Sequence, residues 1–470
     1  MSVTVKYKDN AIAELTENGT KILKTSGKYC EADIVVENTK DGGNLPKYSD
    51  VNFYDYDGTL VAGYSISEAN ALTVLPVPPT HDGLTFQEWN WSLEEVQSLT
   101  HIADIGANYI TTDGATHLYL NITAEPQQDV YLGINIINQN GVTINWGDGT
   151  VETPTEYGIS KRFGHHYAET GKYIVKISGQ FRLGGHSNGD GYPLVGDSVG
   201  HAANNRSILE KLYIGEGCTG MQSYCCSRQR ALSMISTHKN FCFGHSGWDS
   251  TKIKCIVLGR NAAHGFSIGI SNTNWVDVVC LPKHGMGKDG KTFTNSLSLK
   301  RIVLPEDTVN LPYMMSTLCQ SLEEIYIPQG VVNASSHIFR NCTALKKVEF
   351  SENFTGNISD NAFYSCERLT EFIIPSNVTA IGTVAFAYTG LIEIAIPENV
   401  TSIGAQAFRG CSQLNRVYLK STTPPVLANS NAFQNAYDNM KIYVPQGSLE
   451  AYKTADNWTV YADKMQEVQS

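Results

Sequence analysis

At 470 residues the chain is long enough for about three domains, and its 41% hydrophobic and 10% aromatic content excludes intrinsic disorder. Only 17% of residues are charged, against about 25% in an ordinary soluble domain, while Gly (41) and Tyr (24) are plentiful, which points to a β-rich protein. The 35 basic and 46 acidic residues, −11 overall, are spread along the chain, so no basic stripe exists to neutralise phosphates and nucleic acid is excluded as a partner.

No apolar run is long enough to span a bilayer, so membrane insertion is not expected. The opening text MSVTVKYKDNAIAEL has neither an apolar core nor a small-residue cleavage site, so no secretory signal is expected either. The eleven cysteines read as buried thiols rather than a disulfide framework.

In chain order, residues 1–44 alternate apolar and polar side chains in VTVKY and ADIVVEN, with a turn at Asn18-Gly19 and a DGGN linker, which predicts a small β module. Residues 45–115 carry Asp55-Tyr56-Asp57-Gly58-Thr59, the text of a phosphatase nucleophile loop in which the first Asp attacks phosphorus. That chemistry needs a long α/β domain, whereas a Pro-rich LPVPPTHDG follows; an Asp-Gly turn between two strands explains the same residues. Ser92 and Glu95 form a capping box that opens a short helix.

Residues 116–182 contain VTINWGDGT and then HHYAETGKYIVKISG, text that resembles the PKD module; the resemblance implies an Ig-like β-sandwich with Trp146 and Tyr173 in the core and Asp148-Gly149 at a hairpin turn. His165 and His166 invite a metal reading, but the same resemblance implies a packed strand position rather than a ligand role. Residues 183–206, rich in Gly, Asn and His, predict a long exposed loop. Beyond it Cys225, Cys226, His238, Cys242 and His245 have a conceivable zinc spacing, although the vicinal cysteines lack the C-x2-C geometry; no metal and no cofactor is expected. Tyr192, Trp248 and Trp275, aromatic residues in irregular segments, are the candidate ligand-binding positions, and no catalytic residue is assigned.

Residues 207–470 are an array of near-identical units. The pattern L-x-x-I-x-I-P-x-x-V-T-x-I-G-x-x-A-F-x-x-C starts at Leu209, Leu232, Ile253, Val276, Leu299, Leu322, Leu345, Leu369, Leu391 and Leu414, in steps of 23, 21, 23, 23, 23, 23, 24, 22 and 23. Each L-x-x-I-x-I piece predicts a short strand closed by proline, and stacking ten in parallel gives a rod or arc roughly 45 Å long. Phe339, Phe363, Phe386 and Phe408 fill its interior from the return segment, so that all units share one core. Cys319, Cys342, Cys366 and Cys411 hold one register, where Thr389 replaces cysteine; they read as small core residues rather than a redox or metal stripe. At the C-terminus Ser448 is expected to cap a short helix, with Trp458 and Tyr461 covering the last unit.

These motifs carry four resemblances. The repeat pattern resembles the BspA-like leucine-rich repeats of bacterial surface antigens. W-G-D-G-T with the following H-x-Y-x-x-x-G-x-Y-x-V resembles the PKD module, an Ig-like sandwich. The text from Val51 to Trp89 is similar to the Listeria–Bacteroides β-repeats, which are structural spacers. YCEADIVVE resembles the N-terminal unit of tail and baseplate proteins of phages and prophages in gut Firmicutes. Together they imply a mainly β protein: small β modules and an Ig-like sandwich, then a leucine-rich-repeat solenoid with a short C-terminal helical cap. The function they imply is a non-enzymatic tail-associated virion protein, folded in the host cytoplasm. Residues 1–44 would dock to other tail or baseplate proteins, the solenoid would contact a host surface glycan or protein, and a homotrimer is one arrangement of such appendages. The alternatives are a bacterial cell-surface adhesin and a virion decoration without a receptor role.

Overall fold

A computed structural model describes residues 49–470, apart from 139–140, 159, 185–193, 197–206, 223–224, 227–228, 244–250, 262–269, 271, 285–291, 351–353, 355 and 469–470. It also describes three strands of a separate N-terminal unit, residues 1–49: β1 (Val3–Lys8), β2 (Ile12–Glu17) and β3 (Thr20–Lys24). They form an antiparallel meander in which Glu17 faces Thr20 across the Asn18-Gly19 pair. The Asn18-Gly19 pair, ADIVVEN and the DGGN linker lie outside the described residues.

Residues 50–470 form one compact unit. It opens with β4 (Val51–Tyr54), β5 (Leu60–Tyr64), β6 (Leu84–Trp89) and β7 (Ala103–Thr111) in the order β5-β4-β7-β6, with β4 and β7 parallel. The Asp-Gly turn joins β4 to β5. The Asp55 amide donates to the Thr59 carbonyl (2.8 Å), the Asp57 carboxylate accepts the Thr59 amide (2.8 Å), and Gly58 sits at φ +92°. Asp55 is 2% exposed and its other partners are the Tyr56 amide and His81, so the phosphatase-like text is turn chemistry. Helix α1 (Ile66–Asn70), which the sequence reading missed, and α2 (Leu93–Gln97), which it expected, both start in complete capping boxes, Ser65/Glu68 and Ser92/Glu95.

Two sheets follow, built from β8 (Thr116–Ile122), β9 (Asp129–Ile136), β10 (Thr143–Asn145), β11 (Val151–Glu152), β12 (Ser160–His166), β13 (Gly171–Ser178) and β14 (Phe181–Leu183). Short β15 (Val195–Gly196) pairs with β9, and Leu194 and Val195 are fully buried, so part of the segment read as an exposed loop belongs to the core. The repeat array grows out of these sheets. Its β16 (Leu209–Tyr213) pairs antiparallel with β8, its β17 (Cys218–Met221) pairs parallel with β14, and β18 (Met234–Ser236) pairs with β16. Both edges at the start of the solenoid are therefore paired, and one hydrophobic core runs from Leu118 to Met465.

The outer strands of the array are β19 (Cys255–Val257), β20 (Val278–Cys280), β21 (Arg301–Val303), β23 (Glu324–Ile327), β25 (Lys347–Phe350), β27 (Glu393–Ile396), β29 (Arg416–Leu419), β31 (Lys441–Val444) and β32 (Met465–Glu467). A second, shorter ladder holds β22 (Asn310–Leu311), β24 (Asn333–Ala334), β26 (Ala380–Ile381), β28 (Ser402–Ile403) and β30 (Val426–Leu427). Pairing within both is parallel. Every first position from Leu209 to Leu414 is at most 1% exposed. Phe339, Phe363, Phe386, Phe408 and Phe433 stack with centroids 5.4, 5.2, 5.4 and 5.1 Å apart, close to one strand spacing. The repeat cysteines are more than small fillers. Each thiol reaches a carbonyl of the preceding turn: Cys319 to Phe293, Cys342 to Ser316, Cys366 to Phe339 and Cys411 to Phe386, at 2.9–3.2 Å. Burial pushes the Cys366 and Cys411 thiols above their ordinary values, which keeps them protonated donors and poor nucleophiles.

From residue 272 on, each turn also bends through a left-handed residue at one register: Asn272, Asn295, Leu318, Asn341, Ser365, Tyr388, Gly410 and Asn435, with φ between 56° and 69°. Asn and Gly tolerate this conformation; Leu does not, at a cost of about 1–2 kcal/mol. Leu318 is 36% exposed, so little packing offsets that strain. Leu318→Asn is expected to raise stability by about 1 kcal/mol in chemical denaturation, and an unchanged or lower midpoint would contradict the register argument.

The far end is closed by α3 (Leu449–Thr454), Trp458 and Tyr461. The Trp458 indole donates to the Pro425 carbonyl (2.7 Å) and the Tyr461 hydroxyl to that of Ser430 (2.6 Å), while its ring meets Phe433 edge-on. Ser448, expected to cap α3, does not: its hydroxyl turns back to the Pro445 carbonyl (2.5 Å). Among the described residues no helix is long and apolar enough to cross a membrane.

Candidate binding face on the strand ladder

On the outer strands, alternate side chains point into the core and away from it. Ile325 and Ile327 enter the core while Tyr326 faces out. Two outward rows result. One runs Arg301, Glu324, Lys347, Glu371, Glu393, Arg416, Lys441; the next runs Val303, Tyr326, Ile373, Ala395, Tyr418, Tyr443.

The first turns of this face are covered by the chain itself, through the β4–β7 segment. Asn90, fully buried, donates to the carbonyls of Leu258 (3.2 Å) and Cys280 (3.0 Å) and accepts the Gly106 amide (2.8 Å). Trp91 donates to the Leu281 carbonyl (2.9 Å). Gly106 must be glycine, because a Cβ there would lie 2.5 Å from Val257 and 2.8 Å from Cys280. Arg301, 5% exposed, sits 3.5 Å from the buried Asp104 carboxylate and also bonds the Asp50 carbonyl. His101 lies flat on Tyr326, with centroids 3.7 Å apart and planes at 10°, and its Nε2 meets the Glu306 carboxylate at 2.6 Å. Burial works against ionisation of Glu306, but the His101 bond holds its carboxyl below the ordinary range.

From β25 onward no other segment among the described residues covers the face. Ile373 is 88% exposed, Ala395 is exposed, and Tyr418 and Tyr443 stack at 4.8 Å. Around Ile373 the ladder is interrupted. Residues 371–374 keep Phe372 and Ile374 in the core yet make no backbone hydrogen bond to β25 or β27 among the described residues. This is the turn between the 24-residue and the 22-residue steps, so the irregular spacing surfaces as a break in pairing. A groove of about 610 Å³ opens here, with Phe372, Ile373, Ala395 and Tyr418 among its apolar walls and Glu371, Glu393, Glu398 and Lys420 on its rim. Glu393 is paired with Arg416 at 2.8 Å, and the Lys420 ammonium lies 5.8 Å from the Tyr418 ring centre.

The residues singled out by sequence fall elsewhere. Tyr192, Trp248 and His245 lie outside the described residues. Trp275 is 52% exposed but sits just before Val276, at a corner of its turn rather than in the outward rows. No three His, Cys, Asp or Glu among the described residues come together to hold a metal. His238 uses both ring nitrogens on backbone, the Cys218 carbonyl (2.9 Å) and the Asn240 amide (3.2 Å). The buried Cys225 and Cys226 sulfurs lie 4.0 Å apart, and burial together with that contact raises the Cys225 thiol. His165 stacks on Trp146 (4.7 Å, 15°) and bonds Asp148 at 2.7 Å.

Burial opposes ionisation of Asp148, but the Thr150 amide and His165 outweigh it and hold the carboxyl below its ordinary value. A depressed carboxyl stabilises the fold above the unfolded value of about 3.9, and that contribution is lost as pH falls through the folded value. Asp148→Asn is therefore expected to be less stable than the parent at pH 6, with the gap closing by about pH 3 in denaturant midpoints; a pH-independent gap would contradict the assignment.

Residues 289–415 and 379–455 match the family described as BspA type leucine-rich repeat region, in six copies. Among solved structures, the chain is similar to the pneumococcal vaccine antigen PcpA (15% identity, TM-score 0.37, 53% of this chain and 64% of that one). A leucine-rich repeat protein from Bacteroides ovatus gives 20% identity and a TM-score of 0.35 over 70% of this chain and 99% of that one. A leucine-rich cell surface protein from Faecalibacterium prausnitzii gives 16% and 0.25, over 58% and 93%. The chain thus spans just under two thirds of the pneumococcal antigen's length in that structure. No curated protein matches the sequence.

Proposed function

We propose that the chain is a non-catalytic adhesive protein of the bacterial cell-surface kind, which holds a partner surface on the bare ladder face between Lys347 and Val444. One observation carries this reading. The same face is occupied by the chain's own β4–β7 segment over β19–β23, and from β25 on it presents Ile373, Ala395, Tyr418 and Tyr443 with no other segment among the described residues laid over them. Regular spacing of such side chains along a solenoid suits several weak contacts made together. The BspA-type repeats support the adhesin reading over the virion one.

The tail-protein reading stands second, favoured by the YCEADIVVE text at residues 29–37. It brings its own proposals: docking to tail proteins through residues 1–44, virion localisation and trimeric assembly. The labelled full chain separates the two. Adsorption to epithelial cells, lost in Ile373→Asp, is the result expected of an adhesin. Adsorption to bacterial cells alone would transfer the assignment to the tail reading, and adsorption to neither would overturn a binding role. The full chain is required, because cutting near residue 207 would strip β16 and β17 of their partners β8 and β14.

A further inference from the structure

The place where His101 lies recurs four turns along the solenoid, and there no described segment covers it. Tyr326 and Glu306 are 20 residues apart, with Glu306 just after the proline that closes the preceding strand. Tyr418 and Glu398 are also 20 residues apart, and Glu398 follows Pro397 in the same way. On the first pair sits an imidazole, flat on the tyrosine and bonded to the carboxylate, while the next residue, Ile102, packs on Val303 and Tyr326. On the second pair no described segment lays a planar group in this way: the Lys420 ammonium lies 5.8 Å from the Tyr418 ring centre and Tyr443 stacks on that ring, while Glu398 is exposed and makes no hydrogen bond or ion pair with any described residue.

The second copy differs from the first in ways that enlarge it. Ala395 stands where Val303 stands in the first, which lowers the floor in front of Tyr418. Ile373 forms the opposite wall, two ladder spacings from Tyr418, or roughly 9–10 Å. A planar group between them needs about 7–8 Å, two van der Waals contacts of about 3.5–4 Å each. The rim is acidic on balance. Glu371, like Glu398, has no partner among the described residues, and Lys420 is the one cation among the residues lining the groove.

We propose that this slot binds an extended segment of a partner protein that inserts a planar cationic side chain, arginine or histidine, between Ile373 and Tyr418, bonds it to Glu398, and lays an aliphatic neighbour over Ala395. The chain's own Thr100-His101-Ile102 supplies the pattern for that segment. A guanidinium suits the site further, since it stacks on an aromatic face and meets carboxylates with two parallel donors. The inference rests on the adhesive reading above and names its partner as a protein rather than a glycan.

The probes are end-capped peptides with the sequence of residues 99–103, Leu-Thr-His-Ile-Ala, in that form, with His101→Arg, and with His101→Ala. Binding to the full chain is read by saturation-transfer NMR and titration calorimetry. The Arg and His peptides are expected to bind, more weakly as salt rises, and the Ala peptide at least about tenfold less. Tyr418→Ala and Glu398→Gln should each weaken the Arg peptide about tenfold. Ala395→Trp, which fills the slot and removes no contact with the cation, should abolish binding. Far-UV circular dichroism and thermal midpoints check that each variant is folded.

No binding of the Arg peptide at millimolar concentration, or binding indifferent to all three variants, overturns the proposal. So does binding of neutral glycans that these variants abolish while the peptides stay unbound. If cell adsorption survives in Glu398→Gln and Ala395→Trp while the peptides fail, the slot is refuted and the adhesive reading stands. If adsorption is absent in the parent chain, that reading has failed independently of the peptide result.

Discussion

Arg301→Ala is expected to lower the stability of the 50–470 unit by about 3–5 kcal/mol, one of the largest effects of any single substitution outside the aromatic core. The guanidinium is 5% exposed and joins two parts of the chain brought together only by folding: Asp104 on β7 at 3.5 Å, Glu324 on the neighbouring ladder strand at 3.7 Å, and the carbonyl of Asp50. Asp104 is itself 4% exposed and is bonded otherwise by the Asn52 amide at 3.0 Å. Removing the cation leaves a carboxylate buried without its counter-charge, and that desolvation, rather than the attraction lost, dominates the cost.

The same reasoning predicts the rescue. Arg301→Met combined with Asp104→Leu removes both charges and fills much of the volume, so it should recover most of the loss. Denaturant titration followed by circular dichroism is the measurement. A loss under about 1 kcal/mol for Arg301→Ala would mean that water enters this junction and the pair behaves as a surface one. The prediction also bears on binding: if β4–β7 swings away, Tyr326 and Glu306 are uncovered, and the Arg peptide gains a second site.

The register of the array was legible in the sequence because a solenoid fixes every core position by its period. Leu209 to Leu414 and the phenylalanine row needed only their spacing to be placed, and all are buried. The covering of the ladder was not legible. Asn90 reaches Leu258 and Cys280 across 168 and 190 residues, and in one sequence it reads as an unremarked polar residue beside two tryptophans. His101 shows no signal either, since Glu306 and Tyr326, on which it lies, are more than 200 residues away.

The candidate face was half legible. Tyr326/Glu306 and Tyr418/Glu398 share a 20-residue spacing that a register comparison finds. Only the structure shows what lies on the first pair. Aromatic residues in irregular segments drew attention instead, and Trp275 illustrates the bias: a corner residue is conspicuous by type, whereas Ala395 matters because it is small in a row of large side chains.

Phe386→Ala is expected to cost about 3–5 kcal/mol from burial and cavity alone, and the stacked contacts on both faces add to it. The ring is fully buried between Phe363 (5.2 Å, 9°) and Phe408 (5.4 Å, 4°), and Phe372 meets it edge-on at 5.0 Å. Its backbone belongs to the same device. The Phe386 amide donates to the Ala407 carbonyl, and its carbonyl receives the Thr389 hydroxyl and the Cys411 thiol. In a stack where each turn contacts chiefly its neighbours, the loss acts on the interfaces beside it rather than on the whole. Hydrogen exchange should therefore show turns from about Leu391 to the C-terminal cap opening more readily, with the two sheets of β8–β14 and the first turns nearly unchanged. Among the described residues the outer ladder makes no backbone hydrogen bond at 371–374, so fewer such bonds resist separation there than along the paired strands. Uniform loss of protection over residues 50–470 would show that the continuous core couples the turns more tightly than a nearest-neighbour stack allows.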